Sequence, residues 1–233
     1  SHGQRVFVEL DGRWHLLGCP SAFEMRPDAC RWIYKHPGGV IEAAAAAPDH
    51  THELRLALAV LQGPPVRFLI SHHVALNGDD GSADIPAQWS REGQSLVVRA
   101  VPDSDVGRRF PDGSFVVAPA DGTRLERVGG DELLFADGTS RRQPFLCLVT
   151  EPAVSAGVVI RGRLIEAHAE PVEAFWDAVG AGVRISAPPA SPLAQAAQRA
   201  GDLFPWLIQN ALVHYLSPRG LEQYSGGGWG TRD

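Results

Sequence analysis

The chain has 233 residues, of which 44% are hydrophobic and 21% charged, with a formal net charge of −6. That length is enough to bury a sizeable core, and the acidic balance argues against nucleic acid or an anionic membrane as a partner. No stretch approaches the roughly 18 consecutive apolar residues of a membrane-spanning helix, and the opening, SHGQRVFVEL, lacks the apolar core of a signal peptide.

Residues 1–165 read as strands. Short β-rich runs recur in chain order: RVFVEL, WHLLG, RWIYKH, ELRLALAVL, VRFLISHHVAL, SLVVRAV, SFVVAP, ELLFA, PFLCLVT and GVVIRGRL. Asp11-Gly12, Asn77-Gly78, Glu92-Gly93, Asp112-Gly113, Gly129-Gly130 and Asp137-Gly138 stand among them. Asp-Gly and Asn-Gly tolerate the positive φ that tight hairpins demand. Many short strands with such turns predict a mainly β fold, a large antiparallel β-sandwich. The run VIEAAAAAPDH reads as a strand fading into a loop. No alternation of strand and helix argues for a Rossmann-type sheet.

Near residue 166 the pattern changes. Pro171 suits a first helical position, and Val172, Phe175, Trp176 and Val179 follow at helical spacing before Gly180. After the Pro-rich link SAPPASP, Ser191 reads as an N-cap, Pro192 as the first helical residue and Gly201 as the stop. A third helix is predicted over 202–216, with Phe204, Leu207, Ile208, Ala211, Leu212 and Tyr215 on one face. The chain therefore divides into a sandwich at 1–165, a helical linker at 166–216 and a final segment at 217–233. With Gly226, Gly227, Gly228 and Gly230, that segment reads as an irregular, poorly ordered loop.

Candidate chemistry in the sandwich has a structural alternative at every point. Cys19, Cys30 and Cys147 lack metal or redox spacing and read as reduced, buried thiols in a cytoplasmic protein. His50, His52, His72 and His73 contain imidazole pairs, but adjacent residues of a strand point to opposite faces, so His72 and His73 cannot share a site. Asp79-Asp80, Asp103 with Asp105, and Asp131-Glu132 lie in turn contexts, where carboxylates are solvated or bond their own backbone. Trp14, Trp32 and Trp89 offer either a sugar platform or ordinary packing. Neither a metal site nor a cofactor is expected.

The most specific stretch is the last. Adjacent glycines allow close backbone approach. Trp229 offers a flat apolar face, and Arg232 and Asp233 offer a forked donor and a forked acceptor suited to paired hydroxyls. The run FPWLIQNALVHYLSPRGLEQYSGGGWGTRD resembles the junction in glycosidases and glycoside phosphorylases of the cellobiose phosphorylase group, also described as family-thirty-six-type glycosyl hydrolases. VRFLISHHVALNG is a further local echo. The resemblance implies a galactose mutarotase-like supersandwich joined by linker helices to an (α/α)6 barrel that holds the active site. It places Tyr224, Gly226, Gly227, Gly228, Trp229 and Gly230 in the barrel's entry loop, with Arg232 and Asp233 holding the donor sugar. Thr231 stands where the phosphorylases more often carry an aromatic, which leaves the sugar open.

On this reading the chain stops at the start of the barrel. It is then the non-catalytic N-terminal domain of an enzyme that cleaves glycosidic bonds by hydrolysis or phosphorolysis, and inactive alone. Its expected partners are that barrel, an oligosaccharide through the full-length enzyme, and a second copy in a homodimer. The rivals are a stand-alone carbohydrate-binding module and a sandwich enzyme of the aldose mutarotase type, which needs an acid and a base facing one cleft.

Overall fold

The computed structural model describes residues 3–25, 29–47, 53–76 and 86–163, and the backbone of three short strands within 215–232. Thirteen strands build the sandwich. They are β1 (Gln4–Leu10), β2 (Arg13–Leu16), β3 (Ala22–Met25), β4 (Ala29–His36), β5 (Gly39–Ala46), β6 (Glu53–Gln62), β7 (Phe68–His73), β8 (Gln88–Glu92), β9 (Ser95–Arg99), β10 (Ser114–Pro119), β11 (Leu125–Gly129), β12 (Phe145–Thr150) and β13 (Ser155–Arg163). They form a five-stranded sheet, β11-β12-β7-β1-β2, and an eight-stranded sheet, β3-β4-β5-β6-β13-β10-β9-β8. Every pairing described between them is antiparallel. No helix among the described residues is long and apolar enough to cross a membrane.

Alternation builds the core. Val6 and Val8 of β1, Phe68 and Ile70 of β7, and Leu146 and Leu148 of β12 meet Ile41, Leu56, Leu58, Leu96, Val98, Val117 and Val158 from the larger sheet in one apolar cluster. All but Val117 lie two residues from a core neighbour on the same strand, as the period of a pleated strand requires. On β6 the alternation is visible directly: Leu56 and Leu58 are buried while Arg55 and Ala57 are exposed. The β1–β2 hairpin closes through Asp11 and Gly12, at φ 52° and 71°, with Leu10 opposite Arg13. Positive φ at both central residues is what a two-residue hairpin with native twist needs. The run at 39–46 is strand, as expected.

Three strands, β3, β8 and β11, were not legible as apolar runs. They are short, and two of them, β3 and β8, are edges of the larger sheet. The run ELLFA, read as a strand, instead enters a 3-10 turn over Asp131–Leu134. The Asp131 carboxylate explains the difference. It is 2% exposed and accepts from the Ser140 hydroxyl (2.5 Å) and from the backbone N–H of Arg141 (2.6 Å) and Gln143 (3.2 Å). Those bonds fold 131–143 back on itself and prevent an extended ladder. A short helix, α1 (Asp105–Arg109), was also missed. The Ser104 hydroxyl caps it, accepting from Gly107 N–H at 2.9 Å.

The predicted linker helices fall on 166–214, outside the described residues. Tyr215 and Leu216, expected to end the third helix, are instead a two-residue strand, β14. The final segment is not the irregular loop its glycines suggested. Gly220–Ser225 (β15) and Gly228–Arg232 (β16) form an antiparallel ribbon with β14. The pairing runs from Leu221 with Arg232 to Ser225 with Gly228, and Gly226 and Gly227 lie outside the described residues.

Candidate functional site

The residues with the most specific sequence signal lie on this ribbon. Trp229 is opposite Tyr224, and Arg232 is opposite Leu221. Trp229 and Arg232 are three positions apart on the strand, roughly 10 Å of backbone at about 3.3 Å per residue. Asp233 lies outside the described residues.

The sandwich distributes the remaining candidates to separate places. His72 and His73 are on β7 with opposite facing, as predicted. His72 points toward the core and is 6% exposed. Its Nδ1 lies 3.3 Å from the Leu146 carbonyl and its Nε2 lies 2.9 Å from the Gln4 amide nitrogen. One tautomer satisfies both contacts: Nδ1–H donates to the carbonyl, and Nε2 accepts from the Gln4 amide. Burial pushes the imidazole down to about 4, against which the Leu146 hydrogen bond acts only partly. This is a neutral core histidine and not a proton shuttle at neutral pH. His73 packs edge-on against Phe145, with ring centroids 5.0 Å apart. His50, His52 and Asp79-Asp80 lie outside the described residues. Among the described residues no group of three or more His, Cys, Asp or Glu side chains is arranged to hold a metal.

The carboxylates are engaged in architecture. Glu132 turns back to accept from Gly130 N–H at 2.8 Å. Arg141 grips Asp137 with two nitrogens, at 2.7 and 2.8 Å, and sits 4.0 Å over the Phe135 ring. The Arg141 bonds, with a contribution from Thr139 N–H, hold the Asp137 carboxyl down at about 2. Asp105 faces Arg109 one helical turn away, at 3.6 Å.

Glu53 is the residue that the sequence reading passed over. It is buried on the outer face of the larger sheet, between the Nε atoms of Arg55 and Arg161. Hydrogen bonding from Arg55, more than from Arg161, lowers its pKa. The signal was available: a carboxylate two residues before an arginine on a strand places both on one face. Further across that face, Arg163 of β13 reaches Glu92 of β8 at 3.0 Å. Strands β10 and β9 lie between them. On β9, Val97 is wholly buried although it alternates with the core residues Leu96 and Val98.

The tryptophans do not assemble. Trp14 is on β2, an edge of the smaller sheet. Trp32 on β4 packs 5.6 Å from Phe23 near one margin of the larger sheet, and Trp89 is on β8 at the other margin. Trp32 and Trp89 both back onto the core. Of the cysteines, all free, Cys147 is buried, Cys30 half-buried and Cys19 exposed, so the expectation of buried thiols holds only for the first. Burial, with the nearby Glu132 and Asp131 charges, pushes the Cys147 thiol up to about 12, which makes it inert as a nucleophile near neutral pH.

Two comparisons with known proteins bear on this arrangement. Residues 1–162 match the family model of the glycoside phosphorylase supersandwich domain. A 1,2-beta-oligoglucan phosphorylase of Listeria innocua is 28% identical over 246 aligned residues, covering 99% of this chain and 21% of that protein. The chain thus spans about a fifth of the length of that relative.

Proposed function

Because the chain belongs to the glycoside phosphorylase supersandwich domain family, we propose that it is the non-catalytic sandwich and linker of a longer enzyme that cleaves glycosidic bonds. Phosphorolysis of a glucan oligosaccharide is favoured over hydrolysis, on the likeness to a 1,2-beta-oligoglucan phosphorylase. The observation that carries the reading is the match of family model and sandwich over the same residues. It is supported by where the acids and bases go. A glycoside-cleaving centre needs a proton donor poised beside the scissile bond. The buried candidates His72, Asp131 and Glu53 each have their hydrogen-bonding capacity directed to holding strands and loops.

In the longer enzyme, an (α/α)6 barrel follows the linker at 166–216, and 217–233 begins it. Trp229, Arg232 and Asp233 contact the donor sugar there. The guanidinium fork and the carboxylate hold ring hydroxyls and orient the sugar for attack. A cytoplasmic setting and a homodimer belong to the same proposal. The rival of a carbohydrate platform on the sandwich draws nothing from Trp14, Trp32 and Trp89, which stand on three different margins.

The test is an assay of the purified chain with β-1,2-linked glucan oligosaccharides and inorganic phosphate, beside the longer polypeptide that contains it. Sugar phosphate is expected from the longer polypeptide alone. Robust release by the 233-residue chain, abolished by a substitution in the sandwich, would overturn the reading.

A further inference from the structure

We draw no further inference here: the strongest candidate, the uncovered apolar shelf on the core-facing side of the eight-stranded sheet, where the exposed Leu54 and Phe115 flank β13 beside the open space over Gly162, carries nothing because no feature among the described residues shows what covers it.

Discussion

The sandwich and the C-terminal ribbon differ in what their sequences specify. In the sandwich, period-two alternation and turn chemistry specify a core, yet no residue pattern there points to a reaction. In the ribbon, thirteen described strand residues carry the motif most specific to carbohydrate chemistry, while its glycines and scattered apolar positions specify little packing. On the proposed function, one region stores stability and the other meets substrate, and substitutions should separate them. Core changes should unfold the chain, and ribbon changes should spare the sandwich and disable the longer enzyme.

The largest effect expected is on stability. Phe68 is wholly buried between the sheets, so Phe68→Ala should cost about 3–5 kcal/mol in urea unfolding. A cost under about 1 kcal/mol would mean that the two sheets do not share this core. Next comes the ribbon. Arg232→Ala and Asp233→Ala in the longer enzyme should each remove about 2–5 kcal/mol, since truncating one charged member of a hydrogen-bonded set leaves its partners unpaired. That is roughly 30- to 5,000-fold in kcat/KM, with the sandwich unfolding transition unchanged. Retention of more than about a third of kcat/KM by both variants would place the pair at a solvated surface and break the division.

His72 offers a pH test confined to the sandwich. Its folded pKa, about 4, lies below its ordinary value of 6.5, so the native state favours the neutral ring. Its contribution is therefore fully present above about pH 6.5 and is lost as pH falls from there toward 4. The size is about 3 kcal/mol at roughly 1.4 kcal/mol per unit. Urea unfolding at pH 7.5, 5.5 and 4 should show the decline in the parent and a flatter profile in His72→Phe. Equal slopes in the two proteins would rule His72 out as the cause.

Gly157 probes the close strand approach between β13 and β6. A Cβ there would lie 2.6 Å from the Leu56 carbonyl oxygen, and Gly157→Ala should cost about 1–3 kcal/mol through the backbone shift it forces. The smallest effect belongs to a half-exposed ion pair on the larger sheet. Arg99 and Glu92 are half-exposed at 3.9 Å, so Arg99→Ala should change unfolding free energy by less than about 1 kcal/mol and less still in high salt.

How much of this could be read from residues alone follows the same division. The run at Phe145–Thr150 is apolar up to its last residue and that at Phe68–His73 opens with three apolar residues, and both faces of those strands prove buried: Leu69, Ser71, Cys147 and Val149 are at most 1% exposed. The run at Glu53–Gln62 alternates more openly, and one of its faces is largely exposed. Edge strands escaped notice because they need only one partner and little apolar surface, as in Gln88–Glu92. ELLFA misled because its apolar residues suit a strand, while what decides its path is a carboxylate bonded nine to twelve positions ahead. Register is also decided at a distance. No local feature of SGGGWGTRD announces that Trp229 faces Tyr224, since glycine permits a hairpin and a loop alike.

β13 lies in the interior of the larger sheet, paired along most of its length with β6 on one side and β10 on the other. Its hydrogen bonds run across the strands. Tension applied to the chain beyond Arg163 therefore acts along the strand and at right angles to both ladders, which must slip together rather than open one bond at a time. An edge strand in that position would peel. A pull entering the sandwich through its last strand would thus be resisted in shear by two ladders at once.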